Sequence, residues 1–174
     1  FKASAGTGSC TGSVSAGHFG ATSEDAYTAT GAVKQVACAN GKYSADGLLD
    51  CPGTVATGQR GEDANGDYVA TGAVAAGDCA AGTFNADNLG DCDPCANGTF
   101  KAAAGTGTCT GSVATGQRGE DANGDYIAAG ATQANACAAG TFNADNLGDC
   151  DPCANGTFKA SAGTGSCTGS VSAG

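Results

Sequence analysis

The chain has 174 residues, of which 31 are glycine and 11 are cysteine, and its formal net charge is −10. Leu, Ile, Val and Phe together supply 19 residues, below the ~20% at which a chain can usually bury enough surface to fold unaided. The acidic balance argues against a general nucleic-acid-binding protein, and no apolar run approaches the ~18 residues of a membrane span. Cysteine is therefore the obvious means of ordering the backbone.

The chain is built on a repeat. The seventeen residues from Phe1 recur letter for letter from Phe158, so the period is 157 residues, and we expect a longer tandem array. In chain order the predicted units are the end of a preceding module (1–10), a short unit (10–50), two long units (51–108 and 109–166) and the start of the next short unit (167–174).

The two long units are identical at 48 of 58 positions, and each has a 27-residue stretch between cysteines. Within these stretches Asn65-Gly66 and Asn123-Gly124 are strong signals for two-residue hairpin turns. Tyr68-Val69 and Tyr126-Ile127 are predicted to start the return strands. The short unit has Glu24-Asp25 at the same place, so we expect a different turn there. Frequent glycine excludes long helices.

A smaller module begins C-A-x-G-[TK]-[FY] and ends in a cysteine 13 or 14 positions after the first. One period holds ten cysteines, an even number that indicates disulfides and an oxidising, extracellular setting. The long units differ from the short one by a segment with two cysteines, which favours pairing between successive cysteines. The predicted pairs are Cys38–Cys51, Cys79–Cys92, Cys95–Cys109, Cys137–Cys150 and Cys153–Cys167, with Cys10 bonded to a cysteine before residue 1.

The alternative pairing bridges the 27-residue stretches, for example Cys51 to Cys79. Either way, closing a loop of about 15 residues contributes ~3 kcal/mol, whereas ordering costs ~1.5 kcal/mol per residue. Burial between neighbouring modules or chains must contribute the rest. The predicted fold class is a small disulfide-rich, mainly β and loop protein with short hairpins, arranged as an elongated tandem-repeat rod.

Three motifs suggest metal or redox chemistry. C-D-P-C, at Cys92 and again at Cys150, is read as a tight joint between successive bridges, because no histidine or thioredoxin-like context accompanies it. The acidic clusters D-N-L-G-D-C-D and D-A-N-G-D contain the oxygen donors that calcium prefers, but Asp and Asn beside Gly are also plain turn residues, and turn formation is the favoured interpretation. The calcium candidates are Asp87, Asp91, Asp93, Asp145, Asp149 and Asp151; no other cofactor is predicted.

The sequence N-G-T occurs at Asn97 and Asn155, which are predicted to carry N-linked glycans in an exported eukaryotic protein. The equivalent Asn40 is followed by Gly41 and Lys42, so that position is predicted to be bare. Surface Ser and Thr residues are further candidates for O-linked glycans.

The cysteine module resembles the repeats of ciliate surface immobilisation antigens and of algal flagellar-hair proteins. It is also similar to the first half-module of tumour-necrosis-factor-receptor repeats. The residues that carry the resemblance include Cys79, Gly82, Phe84 and Cys92, and Cys95, Gly98, Phe100 and Cys109. The resemblance implies an elongated, disulfide-laddered rod at a cell surface, and it does not imply receptor-type ligand binding.

The sequence shows no catalytic constellation: His18 has no suitably spaced nucleophile or acid, and no nucleophile elbow or phosphate loop is present. We therefore expect a non-enzymatic structural component of an extracellular filament or cell-surface coat, which associates with itself. The alternative is a repeat-based surface binding protein, for ice or carbohydrate, or a monomeric surface antigen.

Overall fold

The computed structural model describes residue 1 and residues 9–47 and 49–171, and within them the chain forms sixteen short strands and no helix. Each odd-numbered strand pairs antiparallel with the next, which gives eight hairpins. The strands are β1 (His18–Ala21), β2 (Lys34–Ala37), β3 (Lys42–Tyr43), β4 (Gly53–Thr54), β5 (Gln59–Glu62), β6 (Ala75–Asp78), β7 (Thr83–Phe84), β8 (Asp93–Pro94), β9 (Thr99–Phe100), β10 (Gly111–Ser112), β11 (Gln117–Glu120), β12 (Gln133–Ala136), β13 (Thr141–Phe142), β14 (Asp151–Pro152), β15 (Thr157–Phe158) and β16 (Gly169–Ser170).

Two kinds of hairpin are present. The long hairpins have four-residue strands and are β1–β2, β5–β6 and β11–β12; the other five are short hairpins with two-residue strands. The predicted class, a disulfide-rich, mainly β and loop fold of repeated short hairpins, is confirmed for the described residues.

The chain divides into two compact units. The first comprises Phe1–Cys79 and Asn85–Cys92, and the second comprises Ala80–Phe84 and Asp93–Gly174. The first contains hairpins β1–β2, β3–β4 and β5–β6, and the second contains the remaining five. The repeat boundaries drawn from the sequence stay predictions.

The same turn introduces every hairpin. Its sequence is Cys or Val, then Ala or Ser, any residue, and a glycine whose φ lies between 75° and 82°. The N–H after the glycine donates to the carbonyl three residues earlier, at 2.9 to 3.2 Å. A positive φ at the third turn position is the type II requirement that glycine meets without strain. The glycines are Gly17, Gly41, Gly58, Gly82, Gly98, Gly116, Gly140 and Gly156.

Successive turns are joined by one repeated hydrogen bond, which we call the ladder. The N–H of the Cys or Val that opens a turn donates to the glycine carbonyl of the preceding turn, at 2.8 to 3.0 Å. In the first unit the ladder donors are Cys38, Val55 and Cys79; in the second they are Cys95, Val113, Cys137, Cys153 and Val171. Within each unit, the turns are therefore joined in chain order, each to the turn before it.

A second contact recurs where a short hairpin precedes a long one, and we call it the side contact. In the second unit Gly130 N–H donates to the Cys95 carbonyl at 2.8 Å, and Lys101 N–H donates to the Ala131 carbonyl at 3.2 Å. Phe100 pairs with Ala131 as an isolated parallel bridge. The first unit repeats these bonds between Gly72 and Cys38 (2.8 Å) and between Ser44 and Ala73 (3.1 Å), beside a Tyr43–Ala73 bridge.

The residues after the Asn-Gly turns are predicted to start the return strands, but they form only a single bridge each. Gly66 N–H donates to the Asp63 carbonyl at 3.1 Å, and Glu62 pairs with Tyr68 as a single bridge. The regular partner of β5 is β6, because a glycine turn at Gly72 (φ 74°) redirects the chain beyond Val69. The same contacts occur around Tyr126, which pairs with Glu120 as a single bridge.

The expectation of a different turn at Glu24-Asp25 is wrong. Asp25 N–H donates to the Thr22 carbonyl at 3.3 Å, and Thr22 N–H donates to the Ala26 carbonyl at 2.9 Å, which is the bonding seen around Gly66. Asp25 takes the glycine position with φ 65°, and aspartate is among the residues that tolerate this conformation best. The turn is therefore kept without the glycine.

The buried positions are small or polar. The buried apolar residues include cysteines, alanines and the valines Val55 and Val113. Ser44, Asn85, Lys101, Asn143 and Lys159, which each follow the aromatic residue of a short hairpin, are also buried. The described core thus consists largely of disulfides and hydrogen-bonded side chains.

Candidate functional site

Five disulfides join successive cysteines: Cys38–Cys51, Cys79–Cys92, Cys95–Cys109, Cys137–Cys150 and Cys153–Cys167. These are the sequential pairs, and among the described cysteines none bridges a 27-residue stretch. Their Cα–Cα distances of 5.6 to 5.7 Å are ordinary for disulfides. Cys10 is exposed and unpaired, and its predicted partner lies outside this chain.

Valine replaces cysteine at the opening of the turns before the long hairpins. Val55 and Val113 are 1% and 5% exposed, and their N–H groups make the same ladder bond as the cysteines. A cysteine-spacing argument overlooks these positions, although the shared [CV]-A-x-G pattern contains the signal. The long hairpins are therefore held by packing where the short ones are held by a disulfide.

Asn85 organises the acidic loop that follows it. Its Nδ2 donates to the carbonyls of Gln59 (2.8 Å) and Gly90 (2.7 Å). Its Oδ1 accepts from the N–H groups of Asp87 (3.2 Å) and Asn88 (3.1 Å). All four hydrogen-bonding positions of the buried amide are thus used. Asn143 repeats this arrangement in the second unit.

A lysine has the corresponding role in the loops whose disulfide joins cysteines 14 residues apart. Lys159 Nζ donates to the carbonyls of Cys137 and Thr141, both at 3.1 Å, and also to the Gly163 carbonyl. Lys101 Nζ likewise donates to the Thr83 and Gly105 carbonyls. The ammonium groups satisfy backbone oxygens that the glycine-rich loops leave without strand partners.

The acidic clusters form turns and ion pairs. Asp87 Oδ1 accepts from the N–H groups of Leu89 (2.9 Å) and Gly90 (3.1 Å), and Asp145 repeats this bonding. Asp91 Oδ1 lies 3.0 Å from Arg60 Nη1, and Asp149 lies at the same distance from Arg118. Asp93 and Asp151 are exposed strand residues opposite Phe84 and Phe142.

No group of three or more metal-ligating side chains occurs among the described residues. Of the predicted calcium candidates, Asp87 and Asp145 accept bonds within their own loops, and Asp91 and Asp149 form ion pairs with Arg60 and Arg118. The geometry therefore favours the turn interpretation of these clusters.

The arginines link a long hairpin to the next acidic loop. Arg60 Nε donates to Glu62 at 3.1 Å, Nη1 to Asp91 at 3.0 Å and Nη2 to the Gly66 carbonyl at 3.2 Å. Bonds to Asp91 and Glu62 raise the pKa of Arg60 above its ordinary value. Arg118 makes the equivalent contacts with Glu120, Asp149 and Gly124.

Hydrogen bonds from backbone N–H groups also lower the pKa values of exposed carboxyl groups in the turns. The N–H groups of Asp67 and Asn65 hold the pKa of Asp63 below its usual value, and that of Leu89 does the same for the pKa of Asp87. Asp121 and Asp145 have lowered pKa values for the same reason. These groups stay charged at neutral pH and fix the turns.

The two N-G-T sequences lie in exposed hairpin-initiating turns. Asn97 and Asn155 are both exposed at the third residue of the turn motif. A Cβ built on Gly98 would lie 2.9 Å from the Leu147 side chain, whereas Gly156 has nothing within 4 Å. Both asparagine side chains therefore lie on the surface.

Within the described part of the chain, no helix has the length and apolar character needed to cross a bilayer. Comparison of the chain with protein-family models and with curated proteins finds no match.

Proposed function

We propose that this chain is a non-enzymatic structural component of an extracellular filament or cell-surface coat, built from tandem disulfide-stapled repeats. The ladder carries the proposal. Within each unit, the Cys or Val that opens a turn is bonded to the turn before it, and buried side chains bond the carbonyls of loops and neighbouring hairpins. Such nearest-neighbour bonding is the arrangement of repeat proteins that extend by adding copies.

The disulfides and the surface support an extracellular location. Five disulfides persist only in an oxidising compartment, and a net charge of −10 keeps a repetitive chain soluble. The exposed N-G-T turns at Asn97 and Asn155 would then carry N-linked glycans. Intact mass before and after enzymatic removal of N-glycans measures their occupancy.

Electron microscopy of the native material, with and without reductant, tests the filament. We expect fibres with an axial repeat that come apart when the disulfides are reduced. Discrete short particles under non-reducing conditions would contradict the proposal and favour a monomeric surface antigen or binding protein.

A further inference from the structure

The side contact occurs in both units with the same three parts. The carbonyl of the cysteine that precedes the short hairpin accepts from the N–H of a glycine in the long hairpin. The aromatic residue of the short hairpin pairs with the alanine that follows this glycine. The N–H of the residue after the aromatic donates to the carbonyl of the same alanine. The alanines are closely covered, since Ala73 is 2% and Ala131 is 3% exposed. The contact is therefore a regular feature of a short hairpin followed by a long one.

Hairpin β15–β16 has the residues of the short-hairpin half of this contact, and two of their backbone groups are unpaired among the described residues. Cys153, Phe158 and Lys159 stand where Cys95, Phe100 and Lys101 stand in β9–β10. The Cys153 carbonyl and the Lys159 N–H have no backbone partner among the described residues. Phe158 is 46% exposed, although Phe100 is half-buried.

Hairpin β1–β2 carries the long-hairpin half of this contact, and Phe1, at the repeat position of Phe158, lines the same groove as Gly31 and Ala32. Gly31 and Ala32 correspond to Gly72 and Ala73, and the φ of Gly31 is 72° against 74° for Gly72. The Gly31 N–H and the Ala32 carbonyl have no backbone partner in the described residues, and Ala32 is only half-buried. Both residues line an open groove of about 390 Å³ that also exposes the unpaired Cys10.

The repeat period brings these two halves together. Gly130 follows Cys95 by 35 residues, and in a chain of period 157 the residue 35 positions after Cys153 is the next copy's Gly31. Cys10 likewise occupies the repeat position of Cys167, which is bonded to Cys153. Both correspondences follow from the one 157-residue period, and they place the junction between residues 153–167 of one copy and residues 10–32 of the next.

We propose that the open edge formed by Cys153, Phe158 and Lys159 binds the Gly31–Ala32 edge of a second copy of this repeat. The junction then has the side contact seen inside each unit, with Ala32 covered by Phe158. This inference rests on the proposed function, and it identifies the partner surface through which the repeats continue.

Amide hydrogen exchange tests the junction in two chains. One is the 174-residue chain; the other is the same chain followed by a second copy of residues 18–174. In the longer chain we expect the Lys159 N–H and the second copy's Gly31 N–H to exchange at least about tenfold more slowly, the scale of one hydrogen bond. The first copy's Gly31 N–H should be unchanged.

The same substitution placed in either copy supplies the control. Ala32→Asp in the second copy introduces a charge against Phe158 and should remove the protection of Lys159, whereas Ala32→Asp in the first copy should leave Lys159 protected. Continued protection of the second copy's Cys79 N–H, a ladder bond, reports that the altered repeat is still folded. Fast exchange of Lys159 in the unsubstituted longer chain, or equal effects of the two substitutions, would overturn the proposal.

The two proposals fail in different ways. If native fibres are seen but Lys159 exchanges rapidly in the longer chain, the filament stands and this junction is wrong. If Lys159 is protected but native material contains no fibres, the junction stands and the filament is wrong.

Discussion

Asn143 shows how a single polar side chain orders a loop that has almost no apolar residues to bury. Its amide bonds the carbonyls of Gln117 and Gly148 and the N–H groups of Asp145 and Asn146, while it is 2% exposed. Hydrogen bonds of this kind contribute little each, but the cost of leaving their partners unpaired is large.

Asn143→Ala is therefore expected to lower the free energy of unfolding by about 2–3 kcal/mol. Chemical denaturation with the disulfides intact measures the change. The control is Asn123→Ala in the same unit, because Asn123 is an exposed turn residue bonded only to Asp121 and its loss should cost less than about 0.5 kcal/mol. Equal effects of the two substitutions would show that the buried amide does not organise the loop.

The turn carboxylates predict the behaviour of the protein in acid. Asp63, Asp87, Asp121 and Asp145 have pKa values lowered by backbone N–H groups, below the ~3.9 of an unfolded aspartate. Their stabilising effect is complete above the unfolded pKa and is lost as the pH falls through the folded pKa. We expect stability to be level from about pH 7 to 5 and to fall below about pH 4.

Denaturant midpoints over a pH series measure this dependence, and NMR titration assigns it to single carboxyls. Asp145→Asn keeps an oxygen that accepts both backbone bonds but does not titrate, so its acid loss should be smaller. A titration that places the folded pKa of Asp145 at or above the unfolded value would refute the explanation.

At the level of the hairpin, an aromatic residue faces a glycine across three of the short strand pairs. The cross-strand pairs are Tyr43–Gly53, Phe100–Gly111 and Phe158–Gly169. A Cβ built on Gly111 would lie 2.6 Å from the Phe100 ring, so the ring covers the bare backbone of the opposite strand. Glycine is required here by space, because a side chain at this position would collide with the ring.

Gly111→Ala is expected to destabilise the protein by about 1–3 kcal/mol, since the methyl group must displace the ring. Gly107→Ala is the matched control in the same hairpin loop, where nothing lies within 4 Å and φ is not left-handed. We expect the control to change stability by less than about 0.5 kcal/mol in thermal unfolding. A tolerated Gly111→Ala would mean that Phe100 is not packed on the strand.

For the molecule as a whole, order comes from many local closures rather than from one core. Leu, Ile, Val and Phe supply only 19 of 174 residues, and the buried positions are mainly cysteine, alanine and hydrogen-bonded polar groups. Each disulfide closes a loop of 13 or 14 residues, worth ~3 kcal/mol in the unfolded chain.

Reduction and alkylation of all cysteines is accordingly expected to unfold the chain. Near-random-coil circular dichroism and loss of slowly exchanging amides are the expected results. The control is the oxidised chain carried through the same steps without reductant. A reduced chain that kept its protected amides would show that the ladder is sufficient by itself.

Features set by short sequence separation were predictable. The disulfide partners lie 13 or 14 residues apart, so spacing and the paired loss of two cysteines already pointed to the sequential bonds that the structure contains. The β class followed from glycine and turn residues, because local backbone conformation needs no distant partner. Asp25 departed from expectation because its local conformation is tolerated by aspartate as well as by glycine.

Contacts between hairpins were not predictable in this way. Asn85 reaches the Gln59 carbonyl 26 residues earlier, and Arg60 reaches Asp91 31 residues later, so an apparent calcium ligand became an ion-pair partner. Val55 reads as an ordinary apolar residue until the fold places it where other turns have cysteine. Burial and hydrogen-bond partners depend on which hairpin lies alongside, and that depends on the packing of the folded chain, not on the spacing of residues along it.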